Sequence, residues 1–243
     1  LLYIGQLLQG DLGVSYRYAD WSVNELVASA LPVSLTIGGL AIALSLLIGV
    51  LLGALAALYR NSFVDYIVMA LGSVGSVVPS FVLGPLLVLA FAMGLQWLPS
   101  GGWDHFSWQF MVLPVSLLTL INVSTLARIM RASMVEVMGS NYIRTARAKG
   151  LPIHLIVFRH ALRPSLLPVV TIVGPLAVSS ITSALVTESI FSIPGLGILV
   201  VNGAANRDYT LVLGLVVLIT ALVVLVNLCV DLMYAFLDPR SRA

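Results

Sequence analysis

The chain has 243 residues, 60% hydrophobic and 9% charged, with 12 Lys and Arg against 10 Asp and Glu and a net charge of +2. A charged fraction far below the roughly one quarter usual in soluble domains excludes a soluble globular protein of this length. So small a net charge also excludes a nucleic-acid binder, which needs many clustered cations on a wet face.

The opening LLYIGQLLQGDLGVSY is too short and interrupted to cross a bilayer, so 1–30 reads as an external segment. Five apolar segments follow, at about 31–58, 67–95, 110–127, 166–187 and 209–237, and together they make 31–237 one all-α, polytopic membrane domain. Helices are required because no backbone amide can stay unpaired in lipid, and the runs are longer than a barrel strand needs. Pro79, Pro85, Pro114, Pro168 and Pro175 are tolerated where neighbouring helices shelter the freed carbonyls. The small residues of GGLAIALSLLIGVLLGALAAL read as packing positions rather than a permeation path. Asn122 and Asn227 are polar within apolar spans and are expected to hydrogen-bond across helices. Cys229 stands alone, which leaves no intrachain disulfide and no Cys-rich metal cage; it reads as a small packing residue.

Sidedness follows from charge. With 1–30 outside and the chain alternating, the inside receives Arg60, Arg128, Arg131, Arg144, Arg147, Lys149, Arg159, Arg163, Arg240 and Arg242, and the outside only Arg17 and Arg207. That bias places the C-terminus in the cytoplasm. Asp11, Asp20, Glu25, Asp104, Glu188 and Asp208 fall outside, and Asp231, near the inner end of the last span, is a candidate partner for Arg60.

The cytoplasmic segment 128–165 is longer than a topology signal requires. GSNYIRTARAKG reads as a short helix with Ser140 or Asn141 as N-cap, Ile143 and Ala146 on one face, Lys149 in the last turn and Gly150 as a left-handed C-terminal residue. Pro152 suits the first turn of a second helix, PIHLIVFRHALR, with Ile153, Ile156, Val157 and Leu162 on its apolar face. Three readings compete: an anionic-lipid surface, a solvated topology loop, and a knob that fits a groove on a soluble partner. The fixed Gly-Leu-Pro corner is more structure than the first two need.

No GxxxxGK[ST] pattern occurs, and GVLLG and PGLG lack its lysine and strand context, so any ATP hydrolysis belongs to another polypeptide. His105, His154 and His160 are too dispersed to form a metal cluster; His105 lies beside Trp103 and Trp108, and His160 reads as structural or partner-facing. Glu188, in ALVTESIFSIPGLG, is either a structural cap or part of an external gate or substrate mouth.

YIRTARAKGL followed by RHALRPSLLPVV resembles the cytoplasmic motif of the integral permease subunits of ABC importers, in particular the dipeptide and oligopeptide branch, which also includes nickel and glutathione permeases. GDLGVSY, LARIMRASMVEVMGSNY, VTESIFSIPGLGILVVNGAANRDY and NLCVDLMYAFLDPR are similar to the same branch, so the likeness covers essentially the whole chain. The resemblance implies a type I ABC importer transmembrane fold and a non-catalytic subunit. It implies an ATPase-coupling loop over Tyr142, Arg144, Thr145, Ala146, Arg147, Ala148, Lys149, Gly150 and Leu151. The general importer pattern opens this motif with Glu-Ala-Ala; Arg144-Thr145-Ala146 is the peptide-branch form, while Pro164 stands where Asn is commoner. The implied partners are a second homologous permease subunit, two cytoplasmic ATP-binding subunits or domains carrying ATP and Mg, an extracytoplasmic substrate-binding protein, a peptide substrate and membrane lipid, with no nucleic acid. The family has six spans, so this chain is expected to lack the first one and part of the external region that follows it, and the location implied is the bacterial cytoplasmic membrane. Nickel, glutathione or another small solute is the alternative cargo. An ion-coupled secondary transporter is the alternative of a different class, and it predicts inverted repeats or intramembrane ionisable pairs.

Overall fold

A computed structural model describes residues 5–7, 9–18 and 20–237, without the side chains of Thr182, Asp231 and 233–237. Arg240, Arg242 and the Asp231 side chain, which entered the sidedness and pairing arguments, lie outside the described residues. The described chain is helical, and its only strand-like feature is an isolated antiparallel bridge between Val14 and Ser22.

Helix α1 runs over Val23–Leu58, starting earlier than its apolar run. Ser22 and Glu25 explain the early start. The Ser22 Oγ accepts the Glu25 N–H at 3.2 Å while Glu25 accepts the Ser22 N–H at 2.8 Å, a reciprocal capping box that fixes the first turn upstream of Pro32. Helix α2 spans Phe63–Val77, with Ser62 capping the Asp65 N–H. Pro79 disfavours the helical conformation for the residue before it, and Val78 is extended at φ −89°, ψ 122°. Helix α3 takes up the chain over Ser80–Leu87 and widens into a π-helical stretch, Val88–Gly94.

Helix α4, Trp108–Met138, continues through Arg128 to Met138 and so takes in the start of the segment read as loop. Charge marks where a helix leaves the hydrocarbon, not where its hydrogen bonds stop; Arg128 even folds back to donate to the Ser124 carbonyl at 3.2 Å. Two short helices follow, α5 over Asn141–Ala148 and α6 over Ile153–Ser165, the latter π-helical at Ile156–Ala161. Pro164 has no N–H for the His160 carbonyl, which favours that widened turn. Helix α7 spans Leu167–Ile190, α8 Leu196–Ala205 and α9 Tyr209–Leu237. Helix α8 lies in a stretch for which the apolar pattern predicts no helix.

The described residues divide into two compact units, one within 1–41, 80–118 and 178–225 and the other within 42–79, 119–177 and 226–243. In the first, Val23, Leu26, Val27 and Ala30 of α1 pack with Leu196 of α8 and Leu211 and Leu215 of α9. In the second, Ala57 of α1, Leu126, Met130 and Met134 of α4, Ile143 and Ala146 of α5, Ile156, Val157 and Ala161 of α6 and Val169 of α7 form one core.

By length and composition α1, α4 and the Tyr209–Val230 part of α9 each suffice to cross a membrane. Two broken pairs, Phe63–Val77 with Ser80–Gly94 and Ile153–Ser165 with Leu167–Ile181, bring the number to five if each pair is one span. In α9 only 17% of the apolar window is buried, so most of that surface faces lipid or another chain. Cys229 belongs to this exposed surface of α9, not to a packed interior.

Candidate functional site

The segment after α4 is built on two anchors. Ile143, fully buried, and Ala146 lie on one face of α5 and enter the core made by Met130, Met134, Ile156 and Val157. Of the other predicted contact residues, Tyr142, Arg144, Thr145, Arg147, Ala148, Lys149 and Gly150 are exposed, while Leu151 is half-buried against the core. The amphipathic spacing therefore leaves a basic ridge on a rigid base. Ser140 occupies the N-cap position, but its hydroxyl donates back to the Val137 carbonyl at 2.6 Å instead of capping α5.

The corner follows from backbone chemistry. Lys149 ends α5, and Gly150 adopts φ +78°, a left-handed conformation that L side chains resist. A Cβ there would meet nothing within 4 Å, so conformation rather than space calls for glycine. The Leu151 N–H returns to the Ala146 carbonyl at 3.3 Å, and Pro152 then caps α6 in an extended conformation. On α6, Ile156, Val157 and Ala161 are buried, whereas Ile153, placed on the apolar face by its spacing, is 55% exposed. Ile153 stands in the first, α-helical turn, before the π stretch, and the core takes up the helix only from Ile156.

In the first unit, Glu188 is 1% exposed near the end of α7. Its carboxylate accepts the Ser34 hydroxyl at 2.6 Å and the Gly197 N–H at 2.6 Å, and it also accepts the Ile198 N–H. Ser34 in turn accepts the Leu196 N–H at 2.8 Å. The first three amides of α8, which have no partner within the helix, are thus satisfied by one carboxylate and one hydroxyl from α7 and α1. Gly195 and Gly197 leave room for this: a Cβ on Gly195 would lie 2.3 Å from the Glu188 carboxyl carbon, and one on Gly197 would lie 2.6 Å from the Leu185 Cα. The glycines of IPGLG are steric necessities of a buried cap.

A second carboxylate ties down the N-terminal segment of the same unit. Asp208 precedes α9, accepts the Leu211 N–H at 3.2 Å and receives the hydroxyl of Ser15 together with the Arg17 N–H. Arg17 Nε donates to the Asn206 carbonyl at 3.0 Å. Burial alone would raise the Asp208 carboxyl, but the Ser15 hydroxyl and the amides of Leu211, Tyr16 and Arg17 hold it below the usual carboxylate range.

The second unit holds a pair that sequence reasoning passed over. Asp65, 2% exposed at the start of α2, accepts Arg131 Nε at 2.6 Å and Nη2 at 2.5 Å. In the sequence Arg131 counts only as one of the inside charges, and no spacing joins it to Asp65. Among the described residues, no His, Cys, Asp and Glu side chains gather into a group that could hold a metal ion.

The family described as "Binding-protein-dependent transport system inner membrane component" matches residues 49–243. The oligopeptide transport system permease protein OppB of Haemophilus influenzae is 52% identical over 241 residues, covering 99% of this chain and 79% of its own length. OppB of Salmonella typhimurium is 52% identical over 240 residues, covering 99% of this chain and 78% of its own length. The dipeptide transport system permease protein DppB of Bacillus subtilis is 40% identical over 242, covering 100% and 78%. Among solved structures, an inward-facing MetNI methionine ABC transporter chain superposes with a TM-score of 0.76 at 17% identity, covering 88% of this chain and 96% of that one. Motif, helical architecture and near-complete coverage agree, and this membrane protein belongs to the family of binding-protein-dependent transport system inner membrane components.

Proposed function

We propose that the chain is a peptide-translocating permease subunit of an ATP-driven importer in the bacterial cytoplasmic membrane, with its C-terminus in the cytoplasm. The observation that carries this reading is the 52% identity to an oligopeptide permease over 99% of the chain. The exposed basic ridge on a buried base supports it, because an object that must transmit force needs a contact face and a rigid mount.

In this reading Tyr142, Arg144, Thr145, Arg147, Ala148, Lys149 and Gly150 meet a groove on a cytoplasmic ATP-binding subunit. Ala146 and Leu151 fix the ridge to the core. Two such subunits or domains bind ATP and Mg and supply the hydrolysis, a second homologous permease subunit completes the pathway, and an extracytoplasmic binding protein delivers the peptide. Closure of the ATP-binding subunits displaces α5, and α4 and α6 carry the displacement into the membrane helices. The Glu188 cap serves the external mouth by holding α8 against α7, not by touching cargo, since its oxygens are already engaged. This chain performs no covalent chemistry.

Reconstitution with its partner subunits in proteoliposomes tests the cargo. Uptake of labelled peptide that requires ATP is the expected result. ATP-dependent uptake of nickel or glutathione with none of peptide overturns the peptide reading, and uptake driven by an ion gradient without ATP overturns the importer reading.

A further inference from the structure

Asp65 and Arg131 form the one ion pair found among the described side chains, and it joins the beginning of α2 to the part of α4 nearest the coupling loop. The pair is built, not incidental. Ser62 accepts the Asp65 N–H at 3.4 Å, and the Asn61 N–H, on a residue at φ +62°, donates to Asp65 Oδ2 at 2.9 Å. The carboxylate is thereby aimed at the guanidinium, which meets it with two nitrogens.

A second fastening lies further along the same helices. A Cβ on Gly75 would stand 1.9 Å from the Leu120 carbonyl oxygen, so α2 and α4 touch backbone to backbone there. At 1.5 Å per residue, Asp65 and Gly75 are about 15 Å apart on α2, and Arg131 and Leu120 about 16 Å apart on α4. The two fastenings match in span and run in opposite chain directions, as two antiparallel helices require. Gly53 of α1 abuts the same stretch, its absent Cβ lying 2.5 Å from the Ala127 carbonyl oxygen and 2.7 Å from the Met130 Cβ. Met130 and Met134 then pack on Ile143 of α5. Arg131 thus stands on α4 between Met130 and Met134, which enter the loop's core, and itself reaches Asp65 on α2.

We propose that Asp65 and Arg131 are positioning residues for energy coupling: their ion pair makes α2 move with α4, so that a displacement of α5 reaches α2 instead of being absorbed by sliding between the two helices. Gly75 alone provides a pivot, while a second, charge-locked point removes the rotation about it. This rests on the coupling-loop reading above.

The test uses the complete complex with Asp65→Asn and with the exchanged pair Asp65→Arg, Arg131→Asp. The amount of co-purifying ATP-binding subunit, basal ATP hydrolysis, and hydrolysis stimulated by tri-alanine-loaded binding protein are measured side by side with a complex in which 142–151 is scrambled. The expected result for Asp65→Asn is normal co-purification and basal rate, with the stimulation ratio reduced about fivefold or more and largely recovered in the exchanged pair. An unchanged ratio, basal and stimulated rates falling in the same proportion, an exchanged pair that assembles without recovering the ratio, or failure of both variants to assemble overturns the assignment, leaving the pair structural at most. If scrambling 142–151 leaves stimulation intact, the coupling-loop reading falls. If scrambling abolishes stimulation and Asp65→Asn does not alter it, only the positioning role falls.

Discussion

Asp208 and Glu188 show how this chain uses its few acids. Both are buried, and both terminate helices by accepting amides that have no intrahelical partner. Because hydrogen bonds hold the Asp208 carboxyl below its ordinary value, its native interactions favour the ionised form. The stabilisation is complete above the unfolded-state value of about 4 and is lost as pH falls through the lower folded-state value. Acidification is therefore expected to release the segment around Ser15 from the start of α9, whereas Asp208→Asn releases it at neutral pH and flattens the pH dependence. Proteolysis near Tyr16 measured across that range checks it. Such roles were half legible. The sequence offered Glu188 as a cap or a gate residue, and the Ser34 and Gly197 contacts give the cap its geometry. Asp208 and Asp65 carried the local signals of helix starts, an acid just before α9 and an acid three residues after Ser62, but nothing local announced Ser15 and Arg131, which stand far away in the chain.

At the scale of elements, the basic segment 139–152 was the most legible part of the chain. Gly150 takes the left-handed conformation expected of it, and Ile143 and Ala146 form the buried face of α5. What escaped has physical causes. Helix α4 continues past Arg128 because a basic residue is a good helix former and nothing breaks the chain before Gly139. Helix α8 was invisible because its start is stabilised by a carboxylate from α7 and a hydroxyl from α1, not by a capping residue of its own. Ile153 is exposed because it stands in the first turn of α6, before the buried Ile156, Val157 and Ala161, and spacing alone does not say where the core ends. Ile143 gives the direct test of the anchored-ridge description. Ile143→Ala should destabilise the packing of α5 by about 2–5 kcal/mol, seen as faster proteolysis between Gly139 and Pro152 while the membrane helices stay protected. Equal protection in the variant and the parent chain contradicts it.

For the whole molecule, composition identified a membrane protein, and apolar run lengths identified its principal helices, since lipid enforces long uninterrupted hydrogen-bonded segments. The family followed from motifs spread along the chain and is borne out by relatives covering nearly all of it. The arrangement within each unit was not legible, because close approaches such as Gly75 to Leu120 and Gly53 to Ala127 depend on which helices meet. The claim on which the functional account turns is that 142–151 couples the membrane helices to an ATP-binding partner. The most direct measurement is ATP hydrolysis by the assembled complex, with and without peptide-loaded binding protein, for the parent chain, for Gly150→Ala and for the scrambled segment. Gly150→Ala strains the corner by about 1–2 kcal/mol and should reduce stimulation with the complex intact, while scrambling should abolish it along with partner binding. A scrambled complex that still binds its ATPase and responds fully to peptide would contradict the account.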